Sequence, residues 1–190
     1  MAETERWPRL VGGRPSLDLV NTDGYDVVLQ SGEAFLSWCR YAGLAVSPRL
    51  TPAAERALLR DARRLRAALR SVMTSLASGG GVPGEMAAIQ AIWADAVRSA
   101  RPVLDEGRLR WTWDPAAPSS ALSELAADAV DLLTQGPLGR LKECPGCGFV
   151  FLDTTKNGAR RWCSMEDCGK EEKMRRYVAK RAKARAGAER

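Results

Sequence analysis

The chain of 190 residues is long enough to bury a hydrophobic core, and its 45% hydrophobic and 27% charged residues are typical of a globular protein. It contains no histidine, which excludes histidine-based catalytic triads and histidine zinc sites, and no apolar run of about 18 residues that would span a membrane. The net charge of +6 is concentrated at one end, because residues 156–190 hold twelve Lys or Arg and five Asp or Glu, whereas residues 1–155 hold 17 basic and 18 acidic residues. This excess suggests either a polyanionic partner or a solvated basic helix.

The N-terminus has neither the basic nor the apolar segment that directs secretion. We therefore expect a cytoplasmic protein without membrane association. No constellation of residues suggests a catalytic site, so we also expect that the chain is not an enzyme. Clustered cysteines in a reducing compartment more often bind metal or act in catalysis than form disulfides.

The first predicted element is "SLDLVNT", residues 16–22. Its residues alternate at a period of two, which weakly favours a strand over a helical turn. Asp18, Asn21 and Thr22 are polar residues in this apolar stretch. One interpretation is that they bind a small-molecule effector; the alternative, which we favour, is that Asn21, Thr22 and Asp23 form a turn with Gly24.

Two helices with clear start signals follow. Ser31 is the predicted N-cap of the first, which Gly43 ends. Thr51 is the predicted N-cap of the second and longest helix, with Pro52 at its first position.

A third helix is predicted over residues 83–100, and a fourth begins at Ser119 or Ser120 and ends before Gly136. Between them, "GRLRWTWDP" alternates apolar and polar residues, which predicts a half-buried strand. Residues 1–140 are therefore predicted to form a mostly helical α+β domain with a few short strands.

Four of the five cysteines lie close together in the remaining residues, 141–190. Cys144, Cys147, Cys163 and Cys168 follow the spacing Cys-x2-Cys-x15-Cys-x4-Cys. Four thiolates in a tetrahedron form a closed, structural zinc site without an open coordination position. The sequence therefore predicts one structural zinc ion, with iron, a redox dithiol and disulfides as the alternatives. Cys39 stands alone in an amphipathic pattern and is predicted to be a buried thiol.

The segment between the cysteine pairs predicts a hairpin. Asn157-Gly158 is a strong hairpin signal, so we expect a return strand that carries Arg160, Arg161 and Trp162 to Cys163. Ser164 is expected to cap a turn that carries Cys168, followed by a basic helix. A cysteine knuckle, a hairpin and then a helix are the order of a treble-clef zinc finger.

These residues resemble the CGNR zinc finger proteins, which join an N-terminal ABATE domain to a C-terminal four-Cys finger. The most specific motif is "CPGCGFVFLDTTKNGARRWCSMEDCG" followed by "KMRRY", and "LDLVNT" is the weaker N-terminal motif. The resemblance implies a stress-related transcription regulator whose finger binds DNA. The chain departs from the family at Lys170-Glu171, where the family has Asn-Arg.

A nucleic-acid-binding regulator is the first functional hypothesis, with DNA as the expected partner and RNA as the alternative. The candidate contacts are basic residues on the final helix and just before Cys163, a pattern that Lys183 or Arg185 would continue. They are Arg160, Arg161, Lys173, Arg175, Arg176, Lys180 and Arg181. The second hypothesis is a protein-interaction or scaffold module in which zinc is purely structural. A small-molecule effector of the N-terminal domain and a homodimer are further expectations.

Overall fold

The computed structural model describes residues 7–188 and the side chains of residues 7–181. Those of Lys183 and Arg185 lie outside the described residues. The helices are α1 (Pro15–Val20), α2 (Gly32–Tyr41), α3 (Pro52–Ala77), α4 (Met86–Ser99), α5 (Ser120–Gln135) and α6 (Lys170–Ala188). The strands are β1 (Arg101–Asp105), β2 (Arg108–Thr112), β3 (Leu141–Glu143) and β4 (Val150–Leu152). Short 3-10 turns cover Asp26–Leu29 and Leu138–Arg140, and a π turn covers Met165–Gly169.

The predicted fold class is confirmed, since helices dominate and the strands form two separate antiparallel pairs, β1–β2 and β3–β4. The local start signals act as predicted. The Ser31 hydroxyl accepts the Ala34 N–H at 3.1 Å, and the Thr51 hydroxyl accepts the Ala54 N–H at 3.2 Å. Within the described residues, no helix is both long and apolar enough to cross a bilayer.

Helix α3 is the centre of the core. It packs against α1, α2, α4, α5 and the β3–β4 hairpin. Its buried residues recur every three or four positions, which places them along one face. They are Leu58, Leu59, Ala62, Leu65, Ala68, Leu69, Val72 and Met73.

The segment at residues 15–20 is a helix, so the predicted strand is wrong. Pro15 occupies the first helical position after the extended Arg14, and the Asn21 N–H donates to the Leu17 carbonyl at 3.0 Å. Every residue from Ser16 to Val20 is buried. A helix that is covered on all sides does not need alternating polar and apolar faces, so its sequence shows no helical periodicity. The period of two in residues 16–22 is therefore coincidental.

The β1–β2 hairpin also differs from its prediction, because all ten strand residues are exposed rather than half-buried. Glu106 and Gly107 both have positive φ, 47° and 77°, as a two-residue hairpin turn requires. Leu104 lies opposite Leu109, and these side chains are 71% and 75% exposed. The alternation in the sequence marks a two-faced ribbon, but the helical body does not cover its apolar face.

The hairpin of the C-terminal unit lies elsewhere than predicted. Strands β3 and β4 pair across the cysteine knuckle, with Lys142 opposite Phe151, and Asn157-Gly158 lies in an irregular loop. Residues 159–163 form no strand, so Arg160 and Arg161 are not on one. Val150 and Leu152 join the core of the helical body, while Phe151 faces the cysteines, as the alternation of side chains along a strand dictates.

Candidate metal centre

The four predicted ligands converge on one point. The sulfur atoms of Cys144, Cys147, Cys163 and Cys168 all lie within 4.8 Å of one another. The Sγ atoms of Cys147 and Cys163 are 3.5 Å apart, and those of Cys163 and Cys168 are 3.8 Å apart. Four sulfurs placed about 2.3 Å from a tetrahedral zinc ion are about 3.8 Å apart. The geometry fits one structural zinc ion, and the prediction of this cofactor is confirmed.

The β3–β4 hairpin forms the knuckle that presents the first two ligands. The Cys144 N–H donates to the Phe149 carbonyl and the Gly148 N–H donates to the Cys144 carbonyl, both at 2.8 Å. Gly148 has φ +73°, which favours glycine. A Cβ on Gly146 would lie 3.3 Å from the Cys168 sulfur. Glycine at 146 therefore lets the knuckle approach the second ligand pair closely.

A π turn delivers the fourth ligand. The Ser164 hydroxyl accepts the Asp167 N–H at 3.2 Å, as predicted for a cap. Arg9 pairs with Asp167 and, at 3.2 Å, with Glu166, so the N-terminal segment holds this turn from outside. Cys168 is the fourth residue of this turn, and Gly169 separates it from α6.

The electrostatics of the thiols match a site that needs a cation. Burial opposes ionisation of Cys144, but the backbone N–H groups of Cys163, Gly146 and Cys147 outweigh it and lower the Cys144 pKa to about 7. Burial and the sulfurs of Cys147 and Cys144 raise the pKa of Cys163. The same causes raise the pKa of Cys168 to about 12, although the contact with Cys163 acts in the opposite direction. Only a bound cation allows all four sulfurs to be thiolates together.

An ion pair organises the loop between the ligand pairs. Asp153 is fully buried and accepts from the Lys142 ammonium at 2.7 Å, the Thr155 hydroxyl at 2.6 Å and the Arg160 N–H at 2.9 Å. Burial alone would raise the pKa of Asp153, but these donors hold it well below the usual carboxyl range. Lys142 also donates to the Gly158 and Arg160 carbonyls at 2.5 and 2.9 Å. This network replaces the predicted return strand.

Arg160, a candidate phosphate contact, lies inside the finger. Its guanidinium donates to the carbonyls of Trp162, Cys163 and Val11, and its Cζ lies 4.5 Å from the centre of the Phe151 ring. These contacts give Arg160 a structural role beside the metal. Arg161, in contrast, is exposed and lies over the Trp162 ring at 5.5 Å.

The three candidate ligand-binding residues of the N-terminal unit are buried. Asn21 exchanges two hydrogen bonds with the backbone of Val150, at 2.8 and 2.9 Å, and so joins α1 to β4. Asp18 accepts the Gly12 N–H at 2.8 Å, and burial raises its pKa to about 6. The Thr22 hydroxyl donates to the Leu19 carbonyl at 2.7 Å.

The structure contains the turn that the alternative interpretation placed at Asn21, Thr22, Asp23 and Gly24. The Tyr25 N–H donates to the Thr22 carbonyl at 2.9 Å, and Gly24 has φ +85°. This arrangement supports a structural role for these polar residues.

The remaining candidate contacts project from α6. Lys173, Arg175, Arg176, Lys180 and Arg181 are all exposed. Glu172 pairs with Arg175 at 3.0 Å and with Arg176 at 2.8 Å. Among the described residues, Lys173 and Lys180 have no ion pair.

Residues that sequence reasoning missed are those that position the finger. Asp153 could have been found, because an Asp that follows an apolar strand and precedes Thr-Thr is a turn signal. Arg70 had no such signal: it lies on α3 and donates to the Gly148 carbonyl at 2.8 Å, across 78 residues of chain.

Comparison with known proteins agrees with this architecture. Residues 13–136 match the ABATE family, whose description is "Putative stress-induced transcription regulator", and residues 140–187 match the CGNR zinc finger. No curated protein matches the chain. The matched segments cover the helical body and the four-cysteine site, so the chain belongs to the ABATE family and carries a CGNR zinc finger at its C-terminal end.

Proposed function

We propose that this protein is a transcription regulator that binds DNA through the finger and α6, with the finger as a treble-clef unit. The observation that carries the proposal is the exposure of α6: from Lys170 to Arg181 every side chain is exposed except that of Glu172, which is half-buried. This stretch holds six basic and two acidic residues. A basic helix that starts at a metal site and exposes its side chains is suited to contact a phosphate backbone.

The basic residues of α6 are not equivalent. Lys173, Arg176 and Lys180 recur at helical spacing and share one face. Glu172 partly neutralises Arg176, so Lys173 and Lys180 are the stronger candidates for phosphate contacts. Glu171, where the family has Arg, is exposed in the first turn. Its charge favours the helix dipole but would repel phosphates approaching this end.

A salt titration of DNA binding tests the proposal. The zinc-loaded full chain is first used to select bound duplexes from a random pool, and fluorescence anisotropy then gives the affinity over a salt series. Log K falls as log salt rises, with about 0.9 of negative slope for each phosphate contact. For the double variant Lys173→Ala/Lys180→Ala, this slope should therefore become less negative by about 1.8. RNA of the same sequence serves as a second ligand.

The matched control is Arg56→Ala/Arg64→Ala, which removes two exposed charges from α3. It should bind like the parent protein. Equal affinities and slopes for the two double variants would exclude Lys173 and Lys180 as phosphate contacts. Truncation near Leu141 is not a suitable control, because Val150 and Leu152 belong to the main core.

A protein-interaction module is the second candidate function, and the apolar residues of α6 favour it. Met174, Tyr177 and Val178 are 57%, 55% and 58% exposed, and their spacing places them on one side of the helix. This stripe could contact a protein partner or a second copy in a homodimer. Loss of partner binding in Val178→Lys, with DNA binding unchanged, would support this role.

We further propose that the N-terminal unit responds to a small-molecule effector, that the protein is cytoplasmic and that it is not an enzyme. The closed four-thiolate shell supports the last point, because it leaves no coordination position for a substrate or an activated water.

A further inference from the structure

A cleft of about 1020 Å³ lies in the N-terminal unit, far along the chain from the cysteines. The β1–β2 hairpin and α5 contribute most of its lining, and neighbouring helices and loops contribute the rest, which includes Arg14, Trp93 and Trp113. Its volume is at the upper end of the range that small-molecule sites occupy.

Three tryptophans line this cleft: Trp93, Trp111 and Trp113. The rings of Trp93 and Trp113 are 6.3 Å apart at an angle of 65°, so they meet edge to face. The Trp113 indole N–H donates to the Ala96 carbonyl at 2.9 Å, which fixes this ring. Trp111 is half-exposed, so part of its surface is free to contact a ligand.

The charges that line the cleft are unbalanced. Of its two arginines, Arg14 pairs with Asp128 and Asp131, both at 2.7 Å, and Arg110 pairs with Asp105 at 3.1 Å. The fourth carboxylate, Glu124, has no ion pair among the residues that the structure describes. Burial raises its pKa, which means that the folded protein disfavours its charge.

We propose that this cleft binds an organic ammonium ion with apolar substituents, held by the tryptophan rings and by the unpaired carboxylate of Glu124. Aromatic faces attract cations through their quadrupole, and quaternary ammonium ions bind in such aromatic pockets. A bound cation would offset the burial of Glu124, whereas an anion would meet two excess negative charges. The binding itself does not depend on the proposed function; only its role as the effector of the regulator does.

A matched pair of probes tests the charge requirement. Choline and its neutral isostere 3,3-dimethyl-1-butanol are titrated into the zinc-loaded full chain, with calorimetry and tryptophan fluorescence as readouts. We expect choline to bind at least about tenfold more tightly than the alcohol and to change the fluorescence.

Two variants test the assigned residues. Glu124→Gln keeps the size of the side chain and removes a charge that burial disfavours, so it should fold; its affinity for choline should fall about tenfold. Trp111→Ala, at a half-exposed position, should lower the affinity at least about threefold. Glu85→Gln, an exposed glutamate outside the cleft, is the control and should leave binding unchanged.

Three results would overturn the proposal. One is the absence of choline binding at millimolar concentration. Another is equal affinity of the protein for choline and the alcohol, or equal affinity of Glu124→Gln and the parent protein for choline. The third is a dimer in light scattering that Leu109→Lys converts to a monomer, because the cleft would then be an interface between two copies. DNA binding is measured separately, so its failure is distinguishable from failure of the cleft.

Discussion

Replacing Asn21 by alanine should weaken the junction between the finger and the helical body. Its side-chain amide donates to the Val150 carbonyl at 2.9 Å and accepts the Val150 N–H at 2.8 Å. Asn21 is 1% exposed and Val150 is fully buried, so water cannot replace either bond without rearrangement. Alanine would leave both backbone groups of Val150 without partners.

The magnitude follows from the two orphaned groups. Each buried, unsatisfied backbone group costs about 1–3 kcal/mol, so the two together should lower the free energy of unfolding of Asn21→Ala by about 2–6 kcal/mol. Domains of this size are stable by about 5–15 kcal/mol, so the loss is a large fraction of the total. Because β4 continues into the metal site through Phe151, zinc should also dissociate faster.

Urea unfolding followed by circular dichroism gives the free energy of unfolding. Zinc transfer to a coloured chelator gives the rate of zinc dissociation. Asn157→Ala is the matched control, since Asn157 is an exposed asparagine of the finger loop. It should change stability by less than about 0.5 kcal/mol. A loss below about 1 kcal/mol for Asn21→Ala, or a loss equal to that of the control, would refute this account of how the two units are joined.

Three further predictions concern the metal and buried carboxylates. Cys168→Ser should lower zinc affinity by more than about 100-fold, which competition with a chelator measures; unchanged stoichiometry and affinity would contradict the ligand assignment. The raised pKa of Asp18 contributes stability below about pH 4 that is lost as the pH rises to about 6. Urea unfolding of the parent protein and of Asp18→Asn is measured at several pH values, and the variant should lack this loss. Parallel curves of unfolding free energy against pH for the two proteins would contradict the prediction. The lowered pKa of Asp153 contributes stability that is lost as the pH falls below about 4. Asp153→Asn should therefore lower the free energy of unfolding more at pH 7 than below about pH 4. A loss that is the same at both pH values would show that the charge of Asp153 is unimportant.

Features encoded by neighbouring residues could be predicted from the sequence. The caps at Ser31 and Thr51 bond to amides three residues away, so the local pattern suffices. The zinc site is similar, because two short cysteine spacings and the chemistry of zinc leave few alternatives. The basic helix after Cys168 follows from composition.

Features that depend on distant residues could not be predicted. Helix α1 has no solvent-facing side, so its periodicity carries no information. The sequence predicts the hairpin turn of the finger at Asn157-Gly158, but the ion pair between Lys142 and Asp153 holds this segment as a loop. Only the folded chain brings these two residues together, so no local pattern indicates the pair. Arg160 could equally have faced solvent, since no local pattern shows that its guanidinium meets Val11 across 149 residues.

The placement of Val150 and Leu152 has a consequence for synthesis on the ribosome. Translation delivers the helical body first, but its core is completed by a strand from the last quarter of the chain. Until that strand emerges, the apolar face of α3 that will receive it stays uncovered. We therefore expect nascent chains that stall before β4 to need chaperone protection, and the finished protein to acquire its core and its zinc ion at nearly the same moment.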